Sequence, residues 1–229
     1  MLTKWIRCEV TDRAGFDRAQ RGWTRLSRLP GFLGQRGGWS GAGTAHVLAF
    51  WADQRSYDRF MADDHDELAA GQHRTFDEID VRLFEHCQDI GENLALAPGS
   101  GLVRLAHCTV APHRTERFAR TQASVWTPGM HSAPGFLGGV LGQRDSAEFL
   151  VLSQWTSQGA HARYRAERFP ALFDRAAPSE DLTAITGHLI ALDPAWSVPP
   201  AGSTPPPGAV RVAAPRSVPP TRAWRPTSG

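Results

Sequence analysis

Apolar positions along the chain follow two spacings, which alternate from one short stretch to the next. Strict alternation of apolar and polar residues is typical of a half-buried β-strand, and apolar residues at every third or fourth position indicate an amphipathic helix. Over residues 1–96 these spacings predict the order strand, helix, strand, strand, helix, strand. The predicted strands cover 5–10, 32–39, 46–51 and 79–84, and the predicted helices cover 14–28 and 54–73.

The same order is predicted again in residues 101–196. The five residues from Pro30 to Gly34 recur unchanged from Pro134 to Gly138, and Trp51 and Trp155 are separated by the same 104 positions. A motif that returns at a fixed offset indicates a duplicated structural unit. The second unit is predicted to have strands at 102–110, 136–142, 148–155 and 185–192 and helices at 114–127 and 158–175.

The order β-α-β-β-α-β is that of the split βαβ, or ferredoxin-like, unit. A four-stranded sheet covered by helices on one face leaves its other face bare. Two such units can bring their bare faces together and close a barrel, which removes exposed sheet edges and apolar surface. The sequence therefore predicts an α+β fold, in which tandem ferredoxin-like repeats form a dimeric α+β barrel within one chain. We expect a monomer in solution, because the duplication already supplies the partner.

A third segment, residues 197–229, differs from both units. It holds nine of the 17 prolines and has no apolar periodicity, so we expect a disordered tail. It also carries four arginines and no acidic residue. Subtracting these four from 25 basic residues leaves 21 against 23 acidic ones in the body of the chain. A near-neutral body with scattered arginines argues against a nucleic-acid-binding surface.

The cysteines and the apolar runs limit the class of protein further. Three cysteines without a Cys-x-x-Cys pair suggest neither a disulfide framework nor a structural zinc site. No apolar run approaches the roughly 18 residues of a membrane-spanning helix, and the first residues lack the apolar core of a signal peptide. We therefore expect a cytoplasmic protein that does not interact with membranes.

Several segments of the first unit resemble the dimeric α+β barrel superfamily. They are Pro30–Gly34, the spacing of Trp51, Tyr57 and Phe60, Lys4–Cys8, Gly34–Trp39 and Val81–Glu85. The first two are similar to the antibiotic-biosynthesis monooxygenases, and the last three are closer to the uncharacterised YdbC-like branch. The resemblance implies one of several activities, because this superfamily includes cofactor-free oxygenases of polyketide phenols, haem-degrading enzymes, haem dehydratases and small-molecule binders.

Aromatic residues of the first unit are candidates for a substrate pocket between sheet and helices. A flat apolar cavity would suit a polycyclic aromatic substrate. Trp5 and Trp39 have no aromatic counterpart in the second unit, which favours a pocket, whereas Trp23 recurs there and could equally be a core residue. The candidate substrate-binding residues are Trp5, Trp23, Trp39, Trp51 and Tyr57.

His65 and Arg7 are the candidate catalytic residues. His65 is flanked by carboxylates, which favour a charged imidazole, and the second unit has Phe169 in its place. His65 could move a proton or could be an ordinary surface histidine. Arg7 could hold a substrate anion or could be a solvated strand residue. The difference between His65 and Phe169 predicts an enclosed cavity in the first unit and a filled second unit.

These residues and the resemblance lead to three functional expectations. The first is a monooxygenase-like enzyme of secondary metabolism that acts on an aromatic or polyketide-type molecule without a cofactor. The second is a non-catalytic small-molecule-binding or stress protein. The third is a haem-binding or haem-degrading protein, suggested by His73 and His86; the absence of an asparagine from the first strand weighs against it.

Overall fold

The computed structural model describes residues 1–41, 43–92, 94 and 99–202. Their eight strands form one closed barrel, in the order β1-β3-β2-β8-β5-β7-β6-β4. The strands are β1 Leu2–Val10, β2 Phe32–Ser40, β3 Thr44–Trp51, β4 Phe76–Ile90, β5 Leu102–Val110, β6 Phe136–Gln143, β7 Glu148–Trp155 and β8 Leu182–Leu192. The predicted α+β fold with two ferredoxin-like halves is confirmed.

The helices form an outer layer on the barrel, and each predicted long helix is divided. The α-helices are α1 Arg13–Arg21, α2 Gln54–Asp63, α3 His65–Ala69, α4 Thr115–Thr121, α5 Thr127–His131, α6 Gln158–Glu167 and α7 Phe169–Ala176. Gly22–Arg28 continues α1 as a 3₁₀ helix, and Gln122–Trp126 joins α4 to α5 as a π-helical turn. Within the described residues, no helix is both long enough and apolar enough to cross a bilayer.

The duplicated Pro-Gly-Phe-Leu-Gly motif has the same structural role in both units. Gly34 and Gly138 have φ angles of 141° and 145°, a region that other residues rarely adopt. Each lies at a register shift between its strand and the following strand of the same unit. The repeat is therefore a bulge motif that shapes the entry of each second strand.

The two halves join along β4–β6 and β2–β8. β4 continues to Ile90, beyond its predicted end, and its last residues pair with β6. Apolar side chains of both halves then share one core inside the barrel. Its fully or nearly buried members are Trp5, Leu48, Phe50, Phe84, Leu94, Val103, Leu105, Val140, Leu150, Leu152, Ile190 and Leu192.

The prediction that the disordered tail starts at residue 197 is wrong for its first residues, which are ordered and contact the first unit. Val198 is buried and pairs with Gln35 through two backbone hydrogen bonds, of 2.8 and 2.9 Å. Ala201 donates a further backbone hydrogen bond to Ser27. Residues 197–202 therefore dock on the first unit, because their few apolar side chains and backbone groups find partners there. The remainder of the predicted tail lies outside the described residues.

Candidate functional site

Each unit has a cavity between its sheet and its helices, and the two cavities differ in size. The second unit encloses about 440 Å³ and the first about 220 Å³. The prediction of an enclosed cavity in the first unit and a filled second unit is therefore wrong for the second unit. The reason is the packing of Trp23, which is buried in the first unit with its ring 6.5 Å from that of Phe60. In the second unit Trp126 is only half-buried and packs on Phe169, 5.4 Å away.

The larger cavity has mostly apolar walls and a small number of polar side chains. Aromatic and aliphatic residues from the helices and from β8 form the walls: Phe118, Trp126, Met130, Phe169, Phe173, Leu182 and Ile185. The polar lining consists of Arg104, Thr121, Gln122, Ser153, His161, Tyr164, Arg165 and Asp181. Such a lining, apolar with a few convergent polar groups, is typical of a small-molecule site.

Arg104 is the cation of this cavity. β5 directs it outward from the barrel, and its guanidinium lies against Gly187 of β8, where any Cβ atom would collide with it. Its Nη1 is buried and has no hydrogen-bond partner among the described residues. Burial, and then the nearby charge of Arg165, lower the pKa of Arg104. A half-buried guanidinium whose buried Nη1 has no partner among the described residues is a ready hydrogen-bond donor to an anionic ligand atom.

His161 and Tyr164 lie on α6. The N-cap of this helix is Ser157, whose hydroxyl accepts a hydrogen bond from the amide of Ala160. The His161 ring lies edge-on to Trp155 at 5.5 Å. Burial, followed by the charges of Arg104 and Arg165, lowers the pKa of His161 to about 4, so the imidazole is neutral at pH 7. Burial raises the pKa of Tyr164 to about 12, so its hydroxyl stays protonated. The cavity thus combines the half-buried Arg104 with two neutral hydrogen-bonding groups, His161 and Tyr164, and it is also lined by Arg165 and Asp181.

The smaller cavity is lined by Lys4, which occupies the position on β1 that Arg104 occupies on β5. Lys4 is 5% exposed, and its Nζ lies 5.2 Å from the ring centre of Tyr57 and 5.8 Å from that of Phe60. Its hydrogen-bond partner is the thioether sulfur of Met61 at 3.9 Å. Burial lowers the pKa of Lys4 to about 8.

Replacing Lys4 by methionine is expected to stabilise the protein by about 1–3 kcal/mol at pH 7, because a charge is no longer desolvated. The native pKa of Lys4 is about 8 against an ordinary 10.5. The unfolded chain therefore binds more protons between these values, and the wild-type unfolding free energy should rise with pH across that window. Urea denaturation of wild type and Lys4→Met from pH 7 to 11 measures both effects. A wild-type curve no steeper than that of the variant would contradict the expectation.

Two of the seven predicted site residues, Trp23 and His65, line the smaller cavity. The Nδ1 atom of His65 is 2.9 Å from Oδ1 of Asp66, and the His65 ring is 6.3 Å from that of Trp23. These two residues do lie together as a pocket would require. Their roles in binding or catalysis stay predictions.

Trp5 and Arg7 face the interior of the barrel, so the expectation that they share the sheet–helix pocket is wrong. Side chains alternate between the two faces of a strand, and on β1 the cavity-facing residues are Lys4, Ile6 and Cys8. The Trp5 Nε1–H donates to Nδ1 of His46 at 3.1 Å. Arg7 forms an ion pair with Glu9.

Trp39, Trp51 and Tyr57 pack within the outer layer and do not line the smaller cavity. Trp39 lies 3.8 Å from the Arg13 guanidinium and 5.1 Å from the ring of Trp196. Trp51 is 1% exposed and stacks on Phe60 at 4.9 Å. Trp51 and Tyr57 are buried core residues, and Trp39 is half-buried against the core. This packing is the alternative that the sequence left open for the tryptophans.

The two histidines that suggested haem do not share a site. His73 is exposed at the edge of the smaller cavity. His86 is bonded through Nε2 to Oδ1 of Asp89 at 3.0 Å and lines neither cavity. The larger cavity has a buried imidazole in His161, but the residues that prompted the haem hypothesis are not near it. The arrangement of His73 and His86 does not fit an axial haem ligand.

The polar residues of the larger cavity were missed from sequence. Arg104 could have been found from the alignment of the two units. When Cys8 is aligned with Cys108, Lys4 of the first strand is equivalent to Arg104. The only lysine of the chain and an arginine thus share one outward-facing position. His161 aligns with Tyr57 at the helical offset of 104, and no local pattern marks it.

Two family models each match one unit of the chain. Residues 2–84 match a domain of unknown function, DUF4937. Residues 102–171 match the antibiotic biosynthesis monooxygenase family. The second match includes Arg104, His161 and Tyr164.

A curated relative and two solved structures are also similar. The uncharacterized protein YdbC of Bacillus subtilis strain 168 is 36% identical over 74 residues, which are 30% of this chain and 62% of that protein. The chain therefore spans less than two thirds of that relative. A presumed monooxygenase of Fusobacterium nucleatum superposes with a TM-score of 0.66 at 11% identity, covering 83% of this chain and 91% of that one. An anthrone oxidase-like protein superposes with a TM-score of 0.61 at 15% identity, covering 84% and 91%.

These matches confirm the resemblance that the sequence motifs predicted. The first unit is similar to the YdbC-like branch and the second to the antibiotic biosynthesis monooxygenases. The likeness to the solved structures is limited to the fold, because the sequence identities are low. The chain is a tandem α+β barrel and shares this fold with those solved structures.

Proposed function

We propose that this tandem, monooxygenase-like barrel oxidises an aromatic or polyketide-type small molecule in the cavity of its second unit, without a bound cofactor. The observation that carries the proposal is the buried Nη1 of Arg104, which has no hydrogen-bond partner in the part of the chain that the structure describes and lies beside an aromatic-walled cavity of about 440 Å³. The family match of residues 102–171 and the fold shared with an anthrone oxidase-like protein support it. The chain would act as a monomer, each unit completing the barrel of the other.

The substrate class follows from the walls and the cation. Trp126, Phe118 and Phe169 offer ring faces and edges to a fused aromatic system. A phenolate or enolate oxygen would accept a hydrogen bond from Arg104 in place of one from water. Binding beside this cation lowers the pKa of the substrate's acidic group and so favours its electron-rich anion.

The reaction would use dioxygen as the oxidant. A CH₂ group conjugated to a ring carbonyl loses a proton to the neutral imidazole of His161, and the electron pair of that C–H bond is delocalised into the enolate. The enolate transfers electrons to O₂, and a C–O bond forms at the same carbon. Cleavage of the O–O bond and loss of the second hydrogen give a new C=O group and one molecule of water. The bound anion would itself favour the protonated form of His161.

Arg104→Met is expected to lower kcat/KM by about 100- to 1,000-fold, because it removes the group that stabilises the anion. Gly187→Val should cause a similar loss with Arg104 still present, because a side chain at 187 collides with the guanidinium. Oxygen uptake with anthrone as the probe, corrected for its spontaneous oxidation, measures both variants. Arg120→Met is the matched control, since Arg120 is an exposed residue of α4. Equal rates for Arg104→Met and wild type would overturn the proposal.

A non-catalytic binding protein is the second candidate, favoured by the low pKa of His161. An imidazole with a pKa of about 4 is a weak base, whereas Arg104 and the aromatic walls would bind a phenolate equally well without reaction. Anthraquinones with free phenol groups are suitable probes. A rise in melting temperature that depends on Arg104, with no oxygen uptake and with the probe recovered unchanged, would identify binding alone.

A further inference from the structure

The only lysine of the chain is buried against the cavity of the first unit. Lys4 is 5% exposed and lines a space of about 220 Å³. The apolar part of this lining comes from the sheet and from the helical layer: Ile6, Val47, Ile79, Val81, Phe16 and Trp23. Lysine is rarely buried to this extent without a partner carboxylate, so the position calls for a chemical explanation.

The surroundings of the amine disfavour its charged form. Among the described residues the Lys4 nitrogen has no oxygen acceptor, and its contacts are the Met61 sulfur and the rings of Tyr57 and Phe60. Ring faces offer a cation weak attraction, which does not replace full hydration. The environment therefore leaves a larger fraction of nucleophilic, neutral amine than an exposed lysine has.

A second polar group of the same cavity is also unsatisfied. Trp23 is only 7% exposed, and its Nε1–H has no hydrogen-bond partner among the described residues. A buried donor without an acceptor costs free energy. An oxygen atom of a ligand in this cavity could accept that hydrogen bond.

We propose that the first-unit cavity binds a small aldehyde and holds it as a Schiff base on Lys4. The Nζ lone pair attacks the carbonyl carbon, and the π electrons move to the oxygen, which becomes the hydroxyl of a carbinolamine. Loss of that hydroxyl with the remaining amine hydrogen releases one water molecule and leaves a C=N bond. No oxidant or reductant is needed. Trp23 supplies a hydrogen bond to the oxygen before it leaves.

The second unit shows why an amine matters at this position. The equivalent residue there is Arg104, which is a permanent cation and a poor nucleophile. An anion-binding role in the first unit would be served equally well by arginine, whereas a covalent role requires lysine. The proposal is independent of the oxidation proposed for the second unit, because the two cavities have no lining residue in common.

Reductive trapping tests the proposal directly. The native full chain is incubated at pH 7 with benzaldehyde and sodium cyanoborohydride, and adducts are located by peptide mass spectrometry. The α-amino group is the internal reference, because Lys4 is the only side-chain amine. We expect the ratio of Lys4 adduct to α-amino adduct to be at least tenfold higher in the native chain than in urea, since a pKa of about 8 leaves roughly a tenth of Lys4 neutral at pH 7.

Controls separate a binding site from simple reactivity. Lys4→Arg imitates the second unit and should fold, as judged by circular dichroism, yet give no adduct on that peptide. Trp23→Phe should lower the Lys4 adduct severalfold at limiting aldehyde. Adduct formation should saturate with aldehyde and be inhibited by benzyl alcohol, and Arg104→Met should leave it unchanged. A native ratio equal to or below the urea ratio, or a rate linear in aldehyde, would overturn the proposal whatever the outcome for oxygen uptake.

Discussion

Replacing Trp196 by alanine is expected to lower the free energy of unfolding by about 3–5 kcal/mol, the range for loss of a large buried aromatic side chain. Trp196 follows the last strand and lies in a short 3₁₀ turn, yet it is 0% exposed. Its ring is 5.5 Å from that of Phe16 and 5.1 Å from that of Trp39. The substitution would leave a cavity between α1 and β2 that the surrounding rings cannot fill.

A polar contact adds to this packing. The Trp196 Nε1–H donates to Oδ1 of Asp17 at 2.8 Å. Burial alone would raise the pKa of Asp17, but hydrogen bonds from Trp196 and Arg21 lower it overall. Alanine at 196 removes one of these bonds, whereas phenylalanine removes the bond and keeps most of the ring contact. We therefore expect Trp196→Phe to cost about 1–2 kcal/mol.

Urea denaturation of the two variants and of two truncated chains measures these effects. A chain ending at Gly202 keeps Trp196 and the backbone pairing of Val198 with Gln35, so it isolates the contribution of residues beyond 202. A chain ending at Asp193 should be at least as unstable as Trp196→Ala. A loss below 1 kcal/mol for Trp196→Ala would show that the first unit does not depend on this contact.

Trp196 also shows where sequence reasoning reached its limit. The duplication predicted the element order and the closed barrel, because both depend on patterns that repeat along the chain. The many prolines after Ser197 led to one prediction of disorder for the whole segment, although Val198 is buried against the first unit. Whether an isolated apolar residue finds a complementary surface depends on the three-dimensional packing, which local composition does not encode.

The candidate site was predicted less well than the fold, for a similar reason. His65 and Trp23, both predicted as site residues, lie on helical segments of one unit with their rings 6.3 Å apart. The sizes of the cavities depend on details across elements, such as the orientation of Trp23 and the presence of glycine at 187 where the aligned strand of the first unit has Val81. The alternation of side chains along a strand, however, is enough to predict that Lys4 points to the opposite face of the sheet from Trp5 and Arg7.

Acidification is expected to destabilise the barrel strongly through His46. Burial, then the charges of His188 and Arg7, lower the pKa of His46 from 6.5 to about 3. Below about pH 6.5 the unfolded chain protonates His46, whereas the native chain does so only near pH 3. The free energy of unfolding is therefore highest above pH 6.5 and falls as the pH drops towards 3. Since one pKa unit corresponds to about 1.4 kcal/mol, the loss from this residue amounts to as much as about 5 kcal/mol.

The hydrogen bonds of His46 explain why the native state excludes the proton. Nδ1 accepts from the indole N–H of Trp5 at 3.1 Å, so the neutral ring carries its proton on Nε2, 2.7 Å from the Ser40 hydroxyl. A second proton on Nδ1 would face the indole N–H. The His188 ring is 4.6 Å away, and burial followed by the charge of Arg7 lowers its pKa as well. Protonation of either imidazole therefore makes the other harder to protonate.

His46→Leu is the decisive variant, because the second unit has Leu150 at the equivalent position of its strand and buries it in the barrel core. The variant should lose some stability at pH 7, where the Trp5 N–H is left without its acceptor, and should lose much less than the wild type between pH 6.5 and 4. Unfolding free energies from urea denaturation across that range give the two slopes. His131→Leu, at an exposed histidine, should retain the wild-type slope. Equal slopes for His46→Leu and wild type would place the acid sensitivity elsewhere in the barrel.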